Sequence, residues 1–369
     1  MIEPHDTPSP DAAASVERRA FAWSALLAWY ASDGRAALPW RHTRDPYAVL
    51  VSEVMLQQTQ VERVLPKYRA FLEQFPTLAD LAAAPVAEVI RAWAGLGYNM
   101  RAVRLHEIAR QAVEHYGGTL PGSLDELLQL KGIGRYTAGA VACFAFGLPV
   151  ATVDTNIRRV LWRVFRGVEP AVWPADSAFQ RQMLEVAEWA LPPDHAYDWQ
   201  QALMDLGATV CLARRPLCER CPLTACCGAY QEAARVSLFP SGEVVAQLRD
   251  DREHGAETAE THGGEKSVRK VAERRAGYNT ADTAGKRRPA AQPFTSTSRY
   301  FRGRVVATLR EMPSGATLSL AELGPRLKQE YTAADYPWLR TLVERLARDG
   351  LVRLTGDSED ASAAFVSLP

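Results

Sequence analysis

Four cysteines within seventeen residues form the densest group of reactive side chains in the sequence, Cys211-x6-Cys218-x2-Cys221-x5-Cys227. Thiolates this close suit a soft metal, as tetrahedral zinc or as a cubane iron–sulfur cluster. Zinc sites more often use two close pairs. Here only Cys218 and Cys221 make one, so the spacing favours iron–sulfur. Pro216 and Pro222 within the group argue against a set of buried free thiols. Cys226 would be the fourth ligand if the last loop were one residue shorter, and spacing alone selects Cys227.

Two carboxylates stand in unusual settings. Glu53 lies in VLVSEVMLQQTQV, a helical stretch otherwise apolar or uncharged, and Asp154 lies in PVATVDTNIRRV, at the start of a helix. As an N-cap, Asp154 would accept backbone hydrogen bonds and stay ionised. Burial would raise the proton affinity of Glu53, so that it could act as an acid near neutral pH. One neutral carboxyl and one anion are what cleavage of a glycosidic bond through an oxocarbenium-like state requires. From periodicity alone, the plainer reading of each is an N-cap and a satisfied helix carboxylate.

These groups need elements to hold them. From Ser15 to about Tyr230 the apolar periodicity is helical, broken by Pro and Gly, with no convincing strand. Val16, Ala20, Trp23, Leu27 and Tyr30 make one stripe on a helix that Ser15 would cap. Further helices are expected around 48–60, 64–74, 87–94, 101–115, 124–130, 136–146, 156–166 and 179–191. Ser123-x-x-Glu126 reads as a capping box, and Leu130-Lys131-Gly132-Ile133-Gly134 as a tight hairpin into the next helix. Its backbone N–H groups can face a phosphate, while Ile133 plugs the core between the two helices. A lone Gly-x-Gly is weak. Between two amphipathic helices it reads as a helix-hairpin-helix, a clamp on the DNA backbone.

The 369 residues suffice for two or three domains, and 47% hydrophobic with 23% charged residues is ordinary for a globular chain. Lys+Arg and Asp+Glu balance at 43 each. That weighs mildly against nucleic-acid binding, although net charge cannot see clustering. The first fifteen residues have no basic or apolar leader region, and no run of eighteen apolar residues follows. The expectation is a soluble cytoplasmic protein, nucleoid-associated in a bacterium, with no membrane contact, in which clustered cysteines bind a metal and form no disulfides. We expect a disordered N-terminus over 1–14, a core over 15–235, a charged disordered linker over 236–296 and a small domain over 297–369. In that last domain, helices over 301–312, 318–327 and 338–347 precede a hairpin of LVRL and AFVSL, a pattern that resembles a winged helix. Such a module can touch DNA or protein. The partner of this one is undetermined.

From about Leu38 to Tyr230 the sequence closely resembles the MutY family of adenine DNA glycosylases, and more distantly endonuclease III. The resemblance rests on LPWR at Leu38–Arg41, SEVMLQQTQV at Ser52–Val61, GLGY at Gly95–Tyr98, LKGIGRYTAGAV at Leu130–Val141, VDTNIRRV at Val153–Val160, ALMDLGA at Ala202–Ala208, and the four cysteines. It implies a mainly α glycosylase fold, a six-helix barrel (about 38–147) beside a 4Fe-4S cluster domain (15–37 plus 148–235). Mismatched double-stranded DNA would lie across the cleft of a monomer. By resemblance Glu53 protonates the purine ring nitrogen and Asp154 stabilises the sugar cation or captures it transiently, supported by Tyr136 and Asn156. Gln58 and Tyr98 enter the duplex, with Thr59 among the DNA contacts. Trp40, Arg41 and Gln201 line the base pocket, and Lys131, Gly132, Ile133 and Gly134 meet phosphate. Extrusion comes first, because the bond of a stacked base is unreachable.

Endonuclease III-type relatives carry a lysine where Tyr136 stands. A phenol cannot form their Schiff base, which implies a monofunctional enzyme. Three departures from the family pattern stand out. Asn99-Met100 replaces a tyrosine-containing pair, Thr155 follows Asp154 where many relatives have glycine, and the usual domain that reads 8-oxoguanine has no counterpart. The expected reaction is removal of adenine mispaired with guanine or 8-oxoguanine. The alternatives are a mismatch thymine/uracil glycosylase on the same scaffold, or a catalytically silent iron–sulfur DNA-binding protein. A transcription regulator would rest on fold analogy alone.

Overall fold

The helix that carries Glu53 is buried on every side. In the computed structural model, which describes residues 10–236, 294–357 and 359–369, this helix, α2 (Pro46–Leu56), starts at an Asp45 cap. The Asp45 carboxylate accepts from the Tyr47 and Ala48 amides at 3.1 and 3.2 Å, and every residue from Tyr47 to Met55 is buried. A helix apolar all round belongs at the centre of its domain. Its neighbours are α3 (Val61–Gln74), α6 (Met100–Tyr116) and α8 (Arg135–Phe144). Ala138, Gly139, Ala140 and Ala142 keep α8 thin where it meets this packing. A Cβ on Gly139 would come within 2.8 Å of the Thr152 methyl.

Around this centre stand α1 (Pro10–Asp33), α4 (Leu78–Ala83), α5 (Val86–Ala92), α7 (Leu124–Gln129), α9 (Thr155–Phe165), α10 (Ser177–Ala190), α11 (Ala196–Thr209) and α12 (Gly228–Val236). No strand occurs among the described residues up to Val236. Helix α1 begins at Pro10, so Ser15 lies inside it and does not cap it. Helix α2 stops at Leu56, because the next residues turn through Gln58 at φ 55°. The periodicity missed α4, α11 and α12, two of which are too short to show a full stripe. Ser123 caps α7 by accepting from the Glu126 amide at 3.3 Å, but the Glu126 carboxylate binds the Ser123 hydroxyl at 2.6 Å, so only half of the expected capping box forms.

The small domain contains α13 (Ser298–Arg310), β1 (Leu318–Ser319), α14 (Leu320–Leu327), α15 (Tyr336–Arg348), β2 (Arg353–Gly356) and β3 (Ala364–Ser367). The expected hairpin is present as β2 and β3. The helix expected from Leu318 instead begins with a short strand, which adds to β3 and gives an antiparallel sheet of order β1-β3-β2. Ser319 and Glu322 form the full capping box of α14. The described residues from Pro10 to Ala233 and from Ser298 onward cluster into one compact unit. The small domain's core takes in Ile90 from α5, with Val86, Ala87, Met100 and Val103 packed against it. The expected disordered stretches, 1–14 and 236–296, fall largely on residues 1–9 and 237–293, outside those described. Among the described residues no helix is long and apolar enough to cross a membrane.

Candidate active site

Glu53 and Asp154 face one another electrostatically across α2 and the N-terminus of α9. Glu53 is 6% exposed, and burial pushes its carboxyl up to about 7. The Tyr136 hydroxyl bonds to it and Arg41 attracts its anion, while Asp154 repels that anion. Asp154 caps α9, accepting from the Ile157 amide at 2.6 Å and from Asn156 Nδ2 at 3.2 Å. Capping alone does not set its titration. Burial raises its carboxyl above the ordinary value, and the amides of Ile157 and Asn156 oppose that rise. Glu53 has no such amides to oppose its rise. Tyr136, on the first turn of α8, has its phenol pushed far up by burial and by both carboxylates. Its hydroxyl also lies 3.9 Å from Met204 Sδ.

The segment leading to Asp154 is fixed from below. The Gln200 amide oxygen accepts from the Thr152 amide at 2.7 Å and from the Thr152 hydroxyl, and its nitrogen donates to the Val150 carbonyl at 2.8 Å. Arg159 donates to Asn156 Oδ1, to the Gly207 carbonyl and, through Nε, to the Cys211 carbonyl, at 2.9, 2.6 and 2.8 Å. A Cβ on Gly207 would press within 2.7 Å of Asn156 Cβ, so α11 touches α9 only because that residue is glycine. Gln200 and Arg159 escaped the sequence reading. Their signal was faint, one polar residue amid buried neighbours on α11 and one arginine among several on α9.

The residues expected in the base pocket divide. Trp40 is buried, edge-on to Tyr68 at 5.4 Å. Gln201 is buried, and no described residue hydrogen-bonds its amide. Arg41 is already engaged: its two terminal nitrogens donate to the two oxygens of Asp205 at 2.7 Å each, and Arg35 Nε donates to Asp205 Oδ1 at 2.7 Å. It acts on Glu53 as a fixed charge.

Gln58 and Tyr98 are the only non-glycine residues at positive φ among those described, at 55° and 46°. Both are exposed. Arg101, which sequence reasoning missed, joins their two loops. One guanidinium nitrogen donates to the carbonyls of Val54, Met55 and Gln57 at 2.9, 2.9 and 2.6 Å. The other donates to Thr59 Oγ1 and to the carbonyls of Leu96 and Gly97 at 3.0, 3.1 and 3.2 Å. Thr59 therefore serves this inner network. Burial without a carboxylate lowers Arg101 to about 10.

The hairpin forms as expected, with Gly132 at φ 103° and Ile133 buried, while Lys131, Gly132 and Gly134 face solvent. Gln111 of α6 grips the turn, accepting from the Lys131 amide at 2.8 Å and donating to its carbonyl at 3.3 Å.

Cys211, Cys218, Cys221 and Cys227 lie close enough to act on one another's charge. Cys226 interacts only with Cys227 of that set, and its thiol turns to the Leu223 carbonyl at 3.4 Å. The donor set is thus four soft thiols, with Arg163 Nη1 3.3 Å from Cys211 Sγ as a positive neighbour. That chemistry fits a cluster of thiolate ligands. As they stand, no three His, Cys, Asp or Glu side chains among the described residues close around a common point.

A sequence signature described as HhH-GPD superfamily base excision DNA repair protein matches residues 51–185. The chain is 46% identical over 226 residues to the adenine DNA glycosylase of Mycolicibacterium smegmatis, covering 61% of this chain and 73% of that one. It is 45% identical over 228 residues to the human adenine DNA glycosylase, covering 59% of this chain but only 41% of that protein. The solved structure of a thermostable thymine-DNA glycosylase superposes with a TM-score of 0.54 at 33% identity, over 59% of this chain and 99% of that one. The helix-hairpin-helix signature and the extent of the Mycolicibacterium match place it plainly: the chain belongs to the adenine DNA glycosylase, or MutY, family of helix-hairpin-helix base excision repair proteins.

Proposed function

We propose that this chain is a monofunctional DNA glycosylase that hydrolyses the N-glycosidic bond of adenine mispaired with guanine or 8-oxoguanine. The observation that carries the reading is the buried Glu53 carboxyl, titrating at about 7 beside Asp154 and Tyr136. With adenine extruded into the pocket, Glu53 delivers its proton to a ring nitrogen and the sugar–base bond breaks. The Asp154 anion faces the cation left on the sugar. Water then adds at the sugar carbon and loses its proton to a carboxylate, leaving free adenine and an abasic site. Tyr136 offers no amine, so the strand stays intact. The hairpin holds backbone phosphate through the amides of Gly132 and Gly134 and the α8 N-terminus, since those of Lys131 and Ile133 donate to Gln111 and to the Leu130 carbonyl.

Cys211, Cys218, Cys221 and Cys227 would hold a 4Fe-4S cluster, with Cys226 outside the ligand set. When bound, the cluster would tie the 211–227 loop into one rigid body. Arg159 and Arg163 meet that loop from α9, the helix that Asp154 caps. The enzyme acts as a monomer in the cytoplasm.

A second reading is removal of mismatched thymine or uracil. It is favoured by a thymine/uracil-DNA glycosylase that is 34% identical over 99% of its length. Single-turnover assays on duplexes with A:8-oxoguanine, A:G, T:G and U:G pairs decide between the two. Adenine release from the first two is expected. Release from the T:G and U:G duplexes alone transfers the chain to the second reading.

A further inference from the structure

Helix α13, SRYFRGRVVATLR, carries four arginines and no carboxylate. Arg299 and Arg310 are eleven residues, three turns, apart and so share a face. That face meets the Tyr98 loop. The Arg299 guanidinium carbon lies 4.3 Å from the centre of the Tyr98 ring, and Arg310 donates to Asn99 Oδ1 at 2.6 Å. Behind them Arg91 donates to the Met312 carbonyl at 3.0 Å, and Met100 packs into the small domain's core. The departure from the family pattern at Asn99-Met100 thus supplies the surface on which the small domain sits.

No described carboxylate pairs with Arg91, Arg299 or Arg310 at this seam. Arg310 and Arg91 each keep a buried N–H without a partner, Nε of the first and Nη1 of the second. Burial lowers Arg310 to about 10, with no carboxylate opposing the fall. Elsewhere in the same domain arginines are neutralised, Arg302 by Asp349 at 2.6 Å and Arg340 by Glu344 at 2.8 Å and Glu359 at 2.7 Å. Arg299 is exposed, and no described carboxylate pairs with it. A guanidinium laid against a tyrosine face is weakly hydrated and oriented, with its N–H edge free for a forked contact to an oxyanion.

We propose that Arg299 binds a backbone phosphate of duplex DNA beside the step that Tyr98 enters, making the small domain the second jaw of the DNA-binding surface. The phosphate is the anion that the seam lacks. The inference rests on the glycosylase reading only in laying the duplex over Tyr98. A protein ligand for the small domain, or DNA bound through its sheet, are the rival occupants.

The test uses the full chain with Asp154→Asn, so that the DNA survives, and a duplex with one central A:G mismatch. Affinity is measured across a salt series, and thermal midpoints verify that each variant is folded. Adding Arg299→Ala should weaken binding about five- to tenfold near ~0.1 M salt and lower the slope of log affinity against log salt by about one. Arg299→Lys should keep the slope and lose part of the affinity, because the charge remains while the stacked fork is gone. An Arg299→Ala slope and affinity equal to the parent's, or no duplex binding by the parent, would overturn the proposal and favour the rivals. The readout is binding, not base release. An Arg299-dependent slope, where the unsubstituted chain with Asp154 in place frees no adenine, would therefore refute the enzymatic reading alone, and adenine release by the unsubstituted chain with an Arg299-independent slope would refute this one alone.

Discussion

Glu53 and Tyr98 lie forty-five residues apart in sequence, and their surroundings differ in every respect that decides how a side chain acts. Glu53 sits in a helix interior, its backbone satisfied and its carboxyl removed from water. What the fold stores there is a displaced proton affinity. Tyr98 is 44% exposed on a loop at φ 46°, and Gln58 opposite it shares that conformation. What the fold stores there is backbone strain, about 1 kcal/mol or more at each residue. Chemistry at the first place needs a dry, fixed charge. Entry into a base stack, the role that the family resemblance assigns to the second, would need side chains presented at the surface before DNA arrives. Arg101 joins the two, since its guanidinium caps the C-terminal carbonyls of the Glu53 helix and grips both strained loops.

The largest effect expected is on the chemical side. Asp154→Asn should cut single-turnover base release by about a thousandfold, roughly 4 kcal/mol of transition-state stabilisation, while duplex affinity changes only a few-fold. Rapid-quench and filter-binding measurements on the same preparation separate the two. An unchanged rate would remove Asp154 from the reaction and reduce it to a helix cap.

Glu53 gives an effect in stability as well as rate. The carboxyl titrates at 4.5 when exposed and at about 7 when folded. The folded state therefore keeps a proton that the unfolded chain has lost between those values. Burial of Glu53 is without penalty below about pH 4.5. Stability then declines as pH rises through 7, by about 3 kcal/mol in all. Glu53→Gln should flatten that decline in chemical denaturation and abolish base release. In the parent, release should fall about tenfold per pH unit above 7 as the acid is lost. A parent rate flat from pH 6 to 9 would exclude Glu53 as the proton donor.

Arg101→Ala tests the connection between the two places. It strands the buried carbonyls of Val54, Met55 and Leu96 away from water, at a cost of about 2–3 kcal/mol in unfolding free energy. Arg101→Lys should recover little, because a single ammonium cannot span acceptors on two loops. If Arg101→Ala unfolded at the parent's denaturant midpoint, the two loops would have to be held by other means.

Legibility in the sequence followed the same division. The buried half was readable, because a carboxylate among apolar helix residues and an aspartate before a helix carry their environments in their neighbours. The hairpin was readable for the same reason: Gly132 needs φ 103°, and Ile133 must point inward. The joining half was not. Arg101 reads as one more cation in MRAVRLHEIAR, and nothing local says that it turns inward to meet carbonyls more than forty residues upstream. Arg41 matched a motif, yet its partner Asp205 lies far along the chain, so its commitment to an ion pair was invisible. The small domain's helices and hairpin were legible from periodicity. Its seat on α5 and α6 was not, because Ile90 and Met100 look like ordinary core residues of their own helices.

The smallest effect is also the one that separates strain from contact. Gln58 turns the chain out of α2 at φ 55°, a conformation that glycine adopts without a Cβ penalty. Gln58→Gly should therefore gain up to about 1 kcal/mol from released strain, offset in part by the greater freedom of the unfolded chain. A net change within about 0.5 kcal/mol of zero in denaturant unfolding is the expected sum. If Gln58 enters the duplex as the family resemblance implies, base release should nevertheless slow, and more so on a fully paired flanking sequence than beside a second mismatch, because its amide side chain is missing while the carboxylates are untouched. A Gln58→Gly variant that was more stable and equally fast would mean that the strained turn only ends the helix, and that entry into the duplex belongs to Tyr98 alone.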